Sequence, residues 1–352
     1  MAFSDKLDAW YTDNGRTLPW RGIDDPYRIW LSEIILQQTR IEQGRDYWLR
    51  FVEAFPTVGD LAAASEEQVL RLWQGLGYYS RARNLHAAAQ YIMVSCGGRF
   101  PTTYEGLLKL KGVGRYTAAA IASFAYRLPH PVIDGNVYRF ISRLRGITTP
   151  VATDAAYNEF EALLLTMIDR KRPDRFNAAL MDFGSLQCRP APDCTACPFA
   201  DECVALATGR VALLPVRLPK AKPTDRWFYY FFLRWNSQGR DFTLMQRREG
   251  RDIWRGLWEF PLLETDHELS PDELTAEARR FAKENFNLST FHFHLSVPYR
   301  HQLTHRTVHA LFLTTELSSP LAVHPTNMVA TDMDEIKNIP LSRLIDRYLQ
   351  SL

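Results

Sequence analysis

The chain has 352 residues, 46% apolar and 23% charged, which exceeds one ordinary core and suits two globular domains. No stretch approaches ~20 apolar residues, so no transmembrane helix is expected, and Met1 to Pro19 is too mixed and acidic for a signal peptide. The formal net charge is +2, which neither demonstrates nor excludes nucleic-acid binding, because a basic face can hide in a neutral total.

Residues 1 to about 210 read as mostly helical, from amphipathic windows at 25–51, 65–76, 80–93, 103–108, 116–125, 136–144 and 152–167. Pro and Gly punctuate them at Pro56, Gly75, Gly77, Gly97, Gly98, Gly112, Gly114, Pro129 and Pro131. In the first window, Glu33 lies in the apolar run Trp30-Leu31-Ser32-Glu33-Ile34-Ile35-Leu36. A buried carboxyl has a raised pKa and can stay protonated long enough to donate; its bland alternative is a structural pair with an Arg. Gln37 and Gln38 follow it and can hydrogen-bond base edges. Tyr78 and Tyr79, beside a glycine break, offer rings that stack on bases or pack in a core.

Lys109, Lys111, Gly112, Gly114 and Arg115 form the next feature. Two glycines one residue apart permit a tight turn, and the backbone N–H groups of a helix starting near Tyr116 can hold a phosphate. A third glycine and a Gly-Lys-Ser/Thr ending are missing, so a dinucleotide fold and a nucleotide phosphate loop fit poorly. The bland reading is a turn between packed helices. Asp134, in Val132-Ile133-Asp134-Gly135-Asn136-Val137, can cap the following helix or face a growing positive charge. Cys188, Cys194, Cys197 and Cys203 fall within sixteen residues, with spacings of five, two and five; Cys96 stands apart as an ordinary thiol. Sulfur-only ligation suits zinc or an iron–sulfur cluster, and one close pair with wide arms leans toward a 4Fe–4S cluster. Clustered free thiolates also suit a reducing compartment, and the cytoplasm is the expected location.

Pro215 to Pro223 reads as an extended linker. Beyond it, 227–233, 242–245, 291–295 and 307–313 read as strands and 272–286 as a helix. The expected division is a helical region at 1–213, a linker at 214–225 and a smaller α+β domain at 226–352.

Taken together, these residues resemble the helix-hairpin-helix DNA glycosylase superfamily, which includes endonuclease III, and most of all its adenine DNA glycosylases of the MutY type. The likeness runs from Leu18-Pro19-Trp20 to the C-terminal domain. It implies excision of adenine opposite 8-oxoguanine, and less well opposite guanine, by a nucleoid-associated monomer acting on double-stranded DNA without a membrane. It assigns Glu33 as general acid, Asp134 as catalytic aspartate, and Asn136 and Tyr116 as supporting residues. Tyr116 stands where bifunctional relatives carry a nucleophilic lysine, so a monofunctional enzyme is expected. The resemblance puts Gln37 and Tyr78 at the opened duplex and a 4Fe–4S cluster on the four cysteines, and it suits the reading of Gln38, Lys111, Gly112, Gly114 and Arg115 as DNA-binding residues. Trp254 to Pro261 resembles the Gly-Leu-Trp-Glu-Phe-Pro segment of a Nudix-like recognition domain that lacks the acidic hydrolytic helix. Leu303, Thr304 and His305 align with a Phe-Ser-His stretch that reads 8-oxoguanine, and the first two cysteines are five residues apart rather than the usual six. The rival readings are a bifunctional pyrimidine glycosylase resembling endonuclease III and a noncatalytic lesion binder.

Overall fold

The computed structural model describes residues 2–219, 222–250 and 252–352. Lys220 and Ala221, inside the expected linker, lie outside the described residues. The chain divides into two compact units, Met1–Ala64 with Asn84–Pro219 and Ser65–Arg83 with Lys220–Leu352. The segment 65–83 therefore joins the C-terminal unit, although its neighbours in sequence are helices of the first. The first of the expected linker's residues are built into unit 1, where Val151 N–H donates to the Val216 carbonyl at 3.0 Å and Leu214 is 3% exposed.

Among the described residues the chain opens with α1 (Phe3–Asn14), α2 (Pro26–Leu36), α3 (Ile41–Ala54), α4 (Val58–Ala63), α5 (Glu66–Leu72), α6 (Ser80–Ser95), α7 (Tyr104–Leu108), α8 (Arg115–Tyr126), α9 (Gly135–Arg145), α10 (Asp154–Met167), α11 (Pro173–Leu186) and α12 (Val204–Ala207). The window 25–51 proves to be two helices. The chain breaks at Gln38, whose φ of 58° is left-handed, and the break turns Gln37 to Arg40 into a corner. Helices α1 and α11 lie outside the windows read from periodicity. They pack together, and Leu7, Phe176, Leu180 and Phe183 join Val137, Phe140, Ile141 and Leu144 of α9 in one core. A Cβ on Gly184 would sit 2.6 Å from the Asn136 carbonyl oxygen, so α11 and α9 approach backbone to backbone. Caps set several helix starts: Asp25 with Pro26 behind it for α2, Thr103 for α7, Asp134 for α9 and Thr153 for α10.

Unit 2 is built on an eight-stranded mixed sheet, β1 (Thr224–Ser237), β2 (Arg240–Arg247), β3 (Trp258–Glu259), β4 (Leu262–Thr265), β5 (His294–Leu295), β6 (Tyr299–Gln302), β7 (Arg306–Leu317) and β8 (Met328–Asp332). β1 and β7 form its parallel centre, in register from Thr224↔Arg306 to Trp235↔Leu317. Parallel strands are buried on both faces. Tyr229, Phe231 and Leu233 accordingly meet Leu274, Ala278, Ala282 and Phe286 of α13 (Pro271–Phe286). Tyr230 and Phe232 meet Phe312, Phe260 and Tyr348, the last from α14 (Arg343–Leu349). The strand read at 291–295 pairs only at His294–Leu295, because Phe291 instead joins the core under α13. Among the described residues no helix is long and apolar enough to cross a membrane.

Candidate active site

Helix α2 is buried from Ile29 to Ile35, and Glu33 is 7% exposed within it. Its carboxyl borders a cavity of about 740 Å³ in unit 1, lined also by Trp20, Arg21, Tyr116, Asp134 and Asn136. Burial pushes the Glu33 pKa up to about 7, and the Asp134 charge adds to it; a hydrogen bond from the Tyr116 hydroxyl and the Arg21 guanidinium pull the other way. Tyr116 sits in the first turn of α8. Burial, then the carboxylates of Glu33 and Asp134, holds its phenol well above its ordinary value.

Asp134 reaches the same cavity from another helix. It is the N-cap of α9, with Oδ1 accepting from Asn136 N at 2.8 Å and Val137 N at 2.7 Å. Oδ2 accepts from Asn136 Nδ2 at 2.8 Å. Burial raises its pKa, while the Val137 and Asn136 donors and the Arg139 charge draw it back. The cap and the cavity-facing carboxyl, two readings that were open from sequence, thus belong to one geometry. Upstream, the loop is held by Asn177, fully buried in α11: its Oδ1 accepts from Val132 N at 2.9 Å, and its Nδ2 donates to Ser123 Oγ at 2.8 Å and His130 O at 2.9 Å.

A cluster of three charges at this cavity escapes sequence reading. Asp182, fully buried in α11, accepts from Arg16 N at 2.9 Å, Arg16 Nε at 3.1 Å and Arg21 Nη2 at 3.1 Å. Burial pushes its carboxyl up, yet the Arg16 hydrogen bonds and the Arg21 charge hold it below the usual range. Asp182 thus fixes Arg21, which acts electrostatically on Glu33. The only available signal was Arg21's place directly after Leu18-Pro19-Trp20.

The remaining singled-out residues of unit 1 fall in three places. Gln37 Nε2 lies 3.3 Å from Thr117 Oγ1, while Gln38 is exposed at the corner after α2. The hairpin between α7 and α8 turns at Gly112, where φ is +81° and a Cβ would lie 2.8 Å from Asn84 Cβ. Gly114 is the N-cap of α8 and brings no capping side chain; Lys111 and Arg115 are exposed beside it. Cys188, Cys194, Cys197 and Cys203 line one cavity behind α9. Burial pushes the Cys197 thiol up to about 11, with the other three cysteines adding to it. Two buried arginines of α9 hold this loop. Arg143 donates to Cys188 Sγ at 3.6 Å, Arg189 O at 2.8 Å and Pro190 O at 2.9 Å. Arg139 donates to Cys188 O at 2.8 Å and to Asn136 Oδ1 at 2.8 Å, which ties the loop to the end of α9 that carries Asp134.

In unit 2, Leu303, Thr304 and His305 form the tip of the β6–β7 hairpin, closed by Leu303 N–H on the Arg306 carbonyl at 2.8 Å. Tyr78 is 45% exposed with a φ of 48°, and its hydroxyl is hydrogen-bonded to that of Thr304. Residues 226 apart in sequence therefore present a phenol and a hydroxyl side by side.

Comparison with known proteins places both halves. Residues 31–164 match the model of the HhH-GPD superfamily base excision DNA repair protein, and residues 230–351 match that of the NUDIX domain. An adenine DNA glycosylase of Buchnera aphidicola subsp. Schizaphis graminum is 30% identical over 318 residues, spanning 90% of this chain and 88% of that one. The chain belongs to the adenine DNA glycosylase family. The family member from Buchnera aphidicola subsp. Baizongia pistaciae is 32% identical, with 74% of each chain covered. That of Arabidopsis thaliana is 33% identical across 82% of this chain, which spans only 51% of the longer plant protein. Among solved structures, a thermostable thymine-DNA glycosylase matches with a TM-score of 0.55 and 26% identity, over 58% of this chain and 95% of its own. A trapped endonuclease III–DNA covalent intermediate shares the fold, with a TM-score of 0.52 and 22% identity, over 58% of this chain and 94% of that one.

Against the family's Nudix-like half, the carboxylates around Trp254 to Pro261 are already occupied. Glu259, 5% exposed, accepts from Arg248 Nη1 at 3.0 Å; Asp252 pairs with Arg226 at 2.6 Å and Arg306 at 2.7 Å; Glu264 pairs with Arg226 and Arg248. In the first turn of α13, Glu273 is used as the return partner of the Ser270 capping box.

Proposed function

We propose that the protein hydrolyses the N-glycosidic bond of adenine mispaired with 8-oxoguanine, and less efficiently with guanine, in double-stranded DNA, as a monofunctional glycosylase. One observation carries this reading: Glu33, with its pKa near 7, and Asp134, on separate helices, line one cavity large enough for an extruded nucleoside.

The purine is unreachable in the stack and must leave it, at a cost of a few kcal/mol that is lower at a mismatch. Phosphate contacts from Lys111, Arg115 and the bare N-terminus of α8, and insertion of Tyr78, offset that cost. Adenine leaves poorly as an anion, and a proton from Glu33 to N7 makes it a far better leaving group. Bond breaking puts positive charge on the sugar, facing the Asp134 carboxylate. Asn136 holds that carboxylate from both its backbone and its side chain. Tyr116 brings a phenol and no amine to the cavity, which favours hydrolysis over imine chemistry. On the other strand, Thr304 with Leu303 and His305 reads the 8-oxoguanine.

The four cysteines fit a 4Fe–4S cluster. They share one cavity, and an arginine N–H already points at Cys188 Sγ. Among the described residues no group of three or more His, Cys, Asp or Glu side chains is placed to hold a metal ion. Such a cluster ties the loop together and, held by four thiolates, leaves no open position for substrate.

A single-turnover assay on 8-oxoguanine:adenine and guanine:adenine duplexes tests the reading, with borohydride added in parallel. Free adenine without an efficient trapped adduct is the expected result. Binding with no adenine released from either duplex would sink it.

A further inference from the structure

The Trp254 to Pro261 segment marks the Nudix-like half, yet its carboxylate is locked on Arg248 and it has no hydrolytic helix to serve. Its contacts point elsewhere, to the stretch 65–83 within the same unit. The Trp258 indole N–H donates to Glu67 Oε1 at 3.0 Å, at the start of α5. The Trp258 backbone N–H donates to the Pro340 carbonyl at 2.9 Å, and Trp258 bridges Leu341 as a parallel partner. Leu341 in turn grips the far end of the stretch: its N–H meets Gln74 Oε1 at 3.3 Å, and its carbonyl accepts from the Tyr79 hydroxyl at 3.1 Å. One tryptophan therefore secures the beginning of the stretch by its side chain and braces, through its backbone, the Leu341 segment that holds the end.

Neighbouring contacts reinforce the grip. Arg247 Nη2 pairs with Glu66 at 2.9 Å, and Arg71 Nη1 donates to the Asn338 carbonyl at 2.7 Å. Gly256 has a φ of +83°, and a Cβ there would lie 3.1 Å from Leu70 Cδ1, so its backbone lies close against α5. What the stretch delivers is Tyr78, the residue before Tyr79. The turn behind it is stiffened by Trp73 Nε1 on the Gly77 carbonyl at 2.9 Å. At its tip the Tyr78 hydroxyl meets Thr304.

We propose that Trp258, through Glu67 and the Leu341 segment, is a positioning residue that clasps residues 66–79 and holds Tyr78 against Thr304, and so sets the preference for 8-oxoguanine over guanine opposite adenine. The assignment of lesion reading to Thr304 is inherited from the proposed function; the clasp itself rests on the contacts above. Trp258 touches no DNA in this account.

Two readouts test the clasp in the full-length chain, with circular dichroism checking that each variant folds. The first is the ratio of single-turnover rates on 8-oxoguanine:adenine and guanine:adenine duplexes. Trp258→Phe and Glu67→Ala each lower this ratio roughly three- to tenfold, the range for losing an ordinary, solvent-accessible hydrogen bond. Glu67→Gln keeps an acceptor oxygen and restores most of the ratio, and the double variant Trp258→Phe/Glu67→Ala is no worse than the poorer single one. The second readout is amide hydrogen exchange across residues 66–79, which quickens in Trp258→Phe whether or not the enzyme is active. An unchanged ratio in folded, active Trp258→Phe and Glu67→Ala, or unchanged exchange in Trp258→Phe, overturns the clasp. If the wild-type chain releases no adenine from either duplex, the proposed function fails instead, and exchange alone decides the clasp.

Discussion

Tyr116 and Glu33 share the wall of the unit 1 cavity, and the Tyr116 hydroxyl opposes the burial that drives the pKa of the Glu33 carboxyl to about 7. Removing the phenol oxygen takes away a contact that favours the charged form. Tyr116→Phe therefore moves the alkaline limb of the pH–rate profile to higher pH and lowers the rate at its maximum. Single-turnover rates between pH 5 and 9 read both, and an unshifted limb would show that the phenol does not govern the acid.

Glu33→Gln separates catalysis from stability. Loss of the general acid lowers adenine release by roughly a hundred- to ten-thousand-fold, with duplex binding retained. The same change stabilises the fold. With a folded pKa near 7 against 4.5 for the free group, the protein binds this proton more tightly than the unfolded chain does. The resulting penalty is absent below pH 4.5, grows as pH rises to 7 and is then constant, at on the order of 3 kcal/mol. Urea unfolding of Glu33→Gln and wild type at pH 5 and pH 8 should show a gain that is larger at pH 8.

Asp134 both caps α9 and faces the cavity, and two substitutions pull these duties apart. Asn caps as well as Asp does, so Asp134→Asn keeps a melting temperature near wild type. It loses the charge opposite the developing cation, with a rate loss of about a hundred- to a thousand-fold. Asp134→Ala loses the cap too and melts earlier, by the equivalent of about 1 kcal/mol. Equal rates in Asp134→Asn and wild type would leave only the cap.

Arg143 is 4% exposed and donates to the carbonyls of Arg189, Pro190 and Leu214. Arg143→Ala strands these buried acceptors and destabilises the first unit by roughly 3–5 kcal/mol. Because the same guanidinium points at Cys188 Sγ, the iron and acid-labile sulfide recovered per chain should fall with it. Colorimetric iron and sulfide assays on purified wild type and variant check this; zinc in place of iron in the wild type would reject the cluster.

Thr304→Ala removes the hydroxyl that meets Tyr78 at the β6–β7 tip. The rate advantage of the 8-oxoguanine duplex over the guanine duplex should shrink by roughly tenfold, as for a lost hydrogen bond in a desolvated contact. Parallel single-turnover assays on the two duplexes measure it.

Residues whose meaning is local could be read directly. Glu33 stands out as a lone carboxyl in an apolar run, Gly112 and Gly114 mark their own turn, and four cysteines announce their loop by spacing. Asp134 was legible as a cap, and only the fold adds that its carboxyl shares a cavity with Glu33. Long-range pairs left no such trace. Asp182 lies 166 residues from Arg16, a separation that no local pattern spans. The corner at Gln38 contains neither Gly nor Pro, so the window 25–51 looked continuous. Tyr78 and Thr304 become neighbours only because the stretch 65–83 belongs with the C-terminal unit, a membership that no pattern within either segment encodes.

That membership has a consequence for how the chain is made. A ribosome delivers residues 65–83 long before the β-strands and the segment around Leu341 that receive them, so Glu66, Glu67 and Arg71 emerge before Arg247, Trp258 and Asn338, which they bond in the finished chain. The early half must tolerate an unfinished stretch until the last residues arrive. A stop codon placed at the linker would leave a helical region with an orphaned insert, not a clean domain.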